Sequence, residues 1–179
     1  VFLGDSLTAG LGLDAEQSVP SLVQRHLDAE GYRYEVVNAG VSGDTSAGGL
    51  RRLEWSLDGD VHILVVELGA NDGLRGLPVA QVKQNLQTIV QTAKKRSIDV
   101  LLTGMEAPPN YGAAYTEKFR KVYYEVGASR KVPVVPFMFE GFADKPVYFQ
   151  PDHLHPAIAA QPIILDTVWK GLQPLLKKS

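Results

Sequence analysis

Ser6, Asp152 and His155 have the types and spacing that nucleophilic chemistry needs. Ser6 follows the short apolar run Val1-Phe2-Leu3 and the stop at Gly4. A strand ending this way holds the next side chains at the rim of a sheet, on rigid support. A serine hydroxyl is a weak nucleophile at neutral pH and needs a base to take its proton. The run Asp152-His153-Leu154-His155-Pro156 offers one. In a turn, residues three apart come onto one side while adjacent residues point apart. Asp152 therefore reaches His155 more naturally than His153, and would fix the imidazole's tautomer. Pro156 is expected to begin the last helix, with His155 just before it. Two other readings compete. Ser6 can be an ordinary cap or turn serine. Asp152, His153 and His155, joined by Asp5, can instead be the ligands of a hydrolytic metal ion.

The elements that must position these residues alternate between strand-like and helix-like. Strands are expected at Val1 to Gly4, Tyr34 to Val37, His62 to Leu68, Ile98 to Thr103 and Val132 to Val135. Helical spacing of apolar residues predicts helices from Pro20 to Glu30, from Asp44 or Thr45 to about Leu57, and from about Pro78 to Lys95. Further helices are expected around Tyr115 to Val126 and Ile164 to Leu175. Gly69 to Pro78 reads as loop. Arg51 and Arg52 read as a solvated helix face, and Asp5 and Asp72 as groups that shape their own turns. Alternation of this kind implies right-handed crossovers and a parallel sheet covered on both sides. The expected fold class is α/β: three layers, a five-stranded parallel sheet, flavodoxin-like order 2-1-3-4-5. Its crevice would lie where the winding reverses, beyond the carboxyl ends of the first and third strands.

Four blocks in order carry a family resemblance: Gly4-Asp5-Ser6-Leu7, Gly43 within Val41-Ser42-Gly43-Asp44-Thr45, Asn71 within Gly69-Ala70-Asn71-Asp72, and Asp152 through Pro156. Together they resemble the SGNH (GDSL) hydrolases, and look most like the branch of bacterial arylesterases and multifunctional thioesterase/lysophospholipases. The resemblance implies a serine esterase with Ser6, His155 and Asp152 as its triad. It implies an oxyanion hole from the N–H groups of Ser6 and Gly43 and the Asn71 amide, and one hydrolase domain over 1–179. It also tilts the expected location toward the periplasm or the exterior of a bacterium. Two positions depart from the family text: a glycine is common where His153 stands, and an asparagine where Ala157 stands.

Bulk properties narrow the partners. A net charge near −2 gives no electrostatic case for nucleic acid. The absence of cysteine excludes a thiolate nucleophile and cysteine-held metal. No apolar run reaches membrane-spanning length, so stable membrane insertion is not expected. Leu74, Leu77, Pro108, Tyr111 and Phe139 lie in the loops expected to wall the crevice. Such an apolar wall suits an acyl or aryl ester better than a sugar or phosphate; the resemblance adds thioesters and lysophospholipids, and the chemistry calls for no cofactor. A non-catalytic acyl- or carbohydrate-binding module on the same fold is the remaining alternative.

Overall fold

The computed structural model describes residues 1–178. Its centre is a parallel sheet of β1 (Phe2–Gly4), β2 (Asn38–Gly40), β3 (Ile63–Glu67), β4 (Asp99–Thr103) and β5 (Val134–Val135), in the order β2-β1-β3-β4-β5. Every strand pair is parallel. The side chains of β1 and β3 are buried on both faces, and Leu64 to Val66 are nearly inaccessible. Continuous apolar burial of that kind requires helices above and below.

Those helices are α1 (Ser6–Ala9), α2 (Val19–Ala29), α3 (Ser46–Arg51), α4 (Leu53–Ser56), α5 (Ala70–Leu74), α6 (Val79–Lys95), α7 (Ala113–Arg130) and α8 (Gln161–Leu172). α2 packs on α8, while α6 packs on α3 and α7. Val23 and Leu27 of α2, Val82, Leu86 and Ile89 of α6, and Phe119, Val122 and Val126 of α7 reach a common core with the strands.

Four expectations are corrected. The second strand forms at Asn38–Gly40 rather than Tyr34 to Val37, because β1 sets the register and pairs Phe2 with Asn38 and Gly4 with Gly40. The helix from Thr45 breaks at Arg52, whose side chain turns inward. Within the predicted 69–78 loop, Ala70–Leu74 is helical. The last helix starts at Gln161, with Pro162 in its first turn. Pro156 instead sits in an antiparallel bridge with Phe149.

Candidate active site

β1 ends at Gly4, and Asp5 caps α1 by accepting the Leu7 N–H at 2.9 Å. Ser6 is thus the first residue of a helix, whose leading N–H groups have no partner within it. Gly4 cannot carry a side chain. A Cβ there would lie 2.0 Å from Thr8 Oγ1 and 2.8 Å from Glu67 Oε2.

Ser6 Oγ lies 2.9 Å from His155 Nε2, across 149 residues of chain. Nδ1 of the same ring lies 2.5 Å from Asp152 Oδ2. A carboxylate at Nδ1 places the ring proton there and leaves Nε2 as acceptor, so Ser6 donates to His155. Asp152 Oδ1 also accepts the N–H groups of Leu154 and His155. These bonds, the imidazole's first, hold the Asp152 carboxyl well below the usual carboxylate range. It is ionised wherever the protein is folded near neutrality. The loop bearing His155 is tied back by Gln150, which donates to Leu11 O at 2.7 Å and Pro156 O at 3.0 Å.

Gly43 follows β2, with φ of 85°. Asn71 follows β3, in α5. Its amide donates to Asp44 O at 2.9 Å and to Asp5 Oδ2 at 3.2 Å. One bond ends beside Gly43 and the other beside Ser6, so the three expected oxyanion donors stand on adjoining turns. Arg75 donates to Gly43 O at 3.0 Å and fixes that turn from the far side.

Composition and spacing gave no sign of three supporting residues. Arg52 is not solvated. It donates to Gly4 O, Ala39 O and Asp44 Oδ2 at 2.6–2.7 Å, joining the ends of β1 and β2. Asp72 does not shape its own turn. It accepts from Ser46 N and Oγ, 26 residues away. Glu67, at the end of β3, is only 1% exposed and accepts from Asp5 N and Thr8 Oγ1. Each role depends on chain brought in from elsewhere, which local pattern does not encode.

Among the expected wall residues, Leu74 and Tyr111 are exposed and Leu77 and Pro108 half-buried. Tyr111 Oη donates to Leu74 O and Tyr115 Oη to Leu77 O, so the loops after β3 and β4 meet. Phe139 lies elsewhere. It is buried against Phe137, Phe142 and Phe149 and offers little surface to a ligand. The metal reading fails on geometry. His153 is exposed, and among the described residues no three His, Asp or Glu side chains converge. A groove of about 600 Å³ lies at the amino ends of the strands, lined by Val1, Tyr34, Val61 and His62. None of the five site residues lines it.

Comparison with known proteins places the chain and its fold in a family. The model of the GDSL-like Lipase/Acylhydrolase family matches residues 2–161. Esterase TesA of Pseudomonas aeruginosa is 51% identical over 175 residues, covering 97% of this chain and 87% of that protein. The Thioesterase 1/protease 1/lysophospholipase L1 of Escherichia coli K12 is 41% identical over 177 residues, covering 98% and 84%. A crystal structure of TesA superposes with a TM-score of 0.94 at 49% identity, covering 98% of both chains.

Proposed function

This chain belongs to the GDSL-like lipase/acylhydrolase family, and from that premise we propose that Ser6, His155 and Asp152 hydrolyse carboxylic esters through an acyl-enzyme. The chain is a carboxylic ester hydrolase with the family's α/β fold. What carries the assignment of roles is the unbroken hydrogen-bond chain Asp152–His155–Ser6.

Ser6 Oγ attacks the ester carbonyl carbon while its proton passes to Nε2. Asp152 stabilises the imidazolium and keeps the ring aimed. The carbonyl oxygen, now an oxyanion, takes hydrogen bonds from the N–H groups of Ser6 and Gly43 and from Asn71, one of whose two amide hydrogens, both bonded in the resting site to Asp44 O and Asp5 Oδ2, turns to the oxyanion. Such aimed donors are each worth on the order of 3–4 kcal/mol in the transition state. Collapse expels the alcohol, which leaves with the proton from Nε2. Water then gives its proton to Nε2 and its oxygen to the acyl carbon. The acid departs and Ser6 recovers its proton.

For the substrate, we infer an acyl or aryl group lying along Leu74, Leu77, Pro108 and Tyr111. Thioesters and lysophospholipids fit the same reading, supported by the printed name of the Escherichia coli relative. The test is a series of p-nitrophenyl esters of increasing chain length beside an acyl-CoA, on wild type and Ser6→Ala. Wild type should release a burst of one p-nitrophenol per chain. Ser6→Ala should lose about 10⁴-fold or more in kcat with an unchanged melting temperature. Turnover that survives in Ser6→Ala would end the proposal.

A further inference from the structure

Beneath Ser6 lie two carboxyl groups with no cation. Asp5 is fully buried and Glu67 is 1% exposed. Among the described residues neither takes part in an ion pair. Asp5 N donates to Glu67 Oε2 at 3.3 Å, so the two carboxyls are buried side by side, and two carboxylates sharing a buried site with no cation favour holding one proton between them. Donors divide unequally over the pair. Asp5 accepts from Leu7 N at 2.9 Å and from the Asn71 amide at 3.2 Å. Glu67 accepts from Thr8 Oγ1 at 2.8 Å and from Asp5 N at 3.3 Å through Oε2 alone. Its Oε1 is buried and finds no donor. A buried carboxylate oxygen with no donor is costly, whereas a protonated carboxyl is at home there.

We propose that Asp5 and Glu67 hold one proton between them, that Glu67 keeps it, and that Glu67 thereby positions Asp5 to aim Ser6 and Asn71. This rests on the esterase reading above. The charge on Asp5 does the aiming, since its two oxygens anchor the first turn of α1 and the oxyanion amide. Ionising Glu67 would set a second negative charge beside Asp5 and loosen both anchors. The other groups facing the pair are Thr8 of α1, Asp72 of α5, Tyr123 of α7 and His155. The Tyr123 hydroxyl is pushed well above its usual value by burial and stays protonated throughout the range tested. Burial, with Asp5 beside it, pushes Glu67 well above the carboxylic-acid range.

The test compares Glu67→Gln, Glu67→Ala and Thr8→Val in the full chain. In infrared spectra in D₂O at neutral pH, wild type should show the carbonyl band of a protonated carboxyl that Glu67→Gln lacks. That band reports on the proton whether or not the chain hydrolyses esters. With p-nitrophenyl butyrate, Glu67→Gln should keep kcat within about threefold, and Glu67→Ala should lose about tenfold or more with KM little changed. Wild-type kcat should fall on the alkaline side, and Glu67→Gln should not show that fall. Thr8→Val deletes a donor that favours the ionised form and should move the fall to higher pH. The variant stays informative even if Glu67→Ala does not fold. No infrared difference between wild type and Glu67→Gln would overturn the proposal. So would equal damage from Gln and Ala, or the same alkaline fall in wild type and Glu67→Gln.

Discussion

Asp152 is 44% exposed at its side chain, yet it carries the orientation of the imidazole. Its low proton affinity is a linkage statement: the stability it lends is present above the ordinary aspartate range and lost as pH falls through its depressed folded value. Asp152→Asn keeps the shape and removes the acceptor at Nδ1. The ring is then free to carry its proton on Nε2, where it cannot accept from Ser6. We expect kcat to fall about 10³–10⁴-fold, read by steady-state hydrolysis of p-nitrophenyl butyrate. His153 is the contrasting neighbour. It sits at φ of 58°, the left-handed region where glycine is at ease. That accounts for the glycine common at this place in the family text. His153→Gly should add about 1 kcal/mol of stability, a rise of about 2–4 °C in melting temperature, and leave kcat within about threefold. A fall in melting temperature would contradict this. Ser6, Asp152 and His155 were legible because a nucleophile, a base and an i, i+3 orienting acid are local signals. Arg52, Glu67 and Asp72 were not, because each acts on backbone or side chains far away in sequence.

Elements were legible where their own pattern decides and illegible where a neighbour decides. α6 carries its apolar stripe in sequence and forms as read, with Val82, Leu86, Ile89 and Ala93 inward. β2 does not, since the valine-rich approach at Val36 and Val37 loses to the register that β1 imposes. α5 overrides a turn signal in Asn71-Asp72-Gly73, and its Asp72 finds partners on α3. The segment before α8 is the instructive case. Pro156 reads as a helix start, but Gln150 N donates to His155 O at 2.8 Å and Ala157 N to Tyr148 O at 2.7 Å. These bonds close the loop bearing His155 as a folded-back unit. Gln150 Nε2 then clips that unit to Leu11, just beyond the helix bearing Ser6. Gln150→Leu keeps the size and removes both donations. Exposed bonds of this kind are worth about 1 kcal/mol each, so the melting temperature should move only a few degrees. His155 would no longer be held against Ser6, and kcat should drop about tenfold with KM nearly unchanged. Unaltered kcat would show that the loop holds itself.

The whole molecule follows from alternation: strand and helix in turn give a parallel sheet, and a reversal of winding between β1 and β3 brings the turns bearing Ser6, Gly43 and Asn71 to one end of the sheet. The same architecture buries Asp5 and Glu67 at the sheet's carboxyl end, and that has a cost that pH can reveal. Burial raises Asp5 from its usual 3.8 to about 6, and Glu67 is raised well above 4.5. Both groups bind a proton more tightly folded than unfolded. The folded state therefore holds more protons than the unfolded chain from about pH 4 upward. Stability from this pair is full below that point and is lost as pH rises through the folded values. Glu67→Gln removes one of the two sites. While Glu67 stays protonated in the fold and ionises on unfolding, the variant should gain on wild type by up to about 1.4 kcal/mol per pH unit. Urea unfolding at pH 6 and pH 8 measures the difference directly, and the stability curves should diverge as pH rises, with the variant gaining. Parallel curves would mean that Glu67 binds its proton no more tightly in the fold than in the open chain, and that the buried pair is charged.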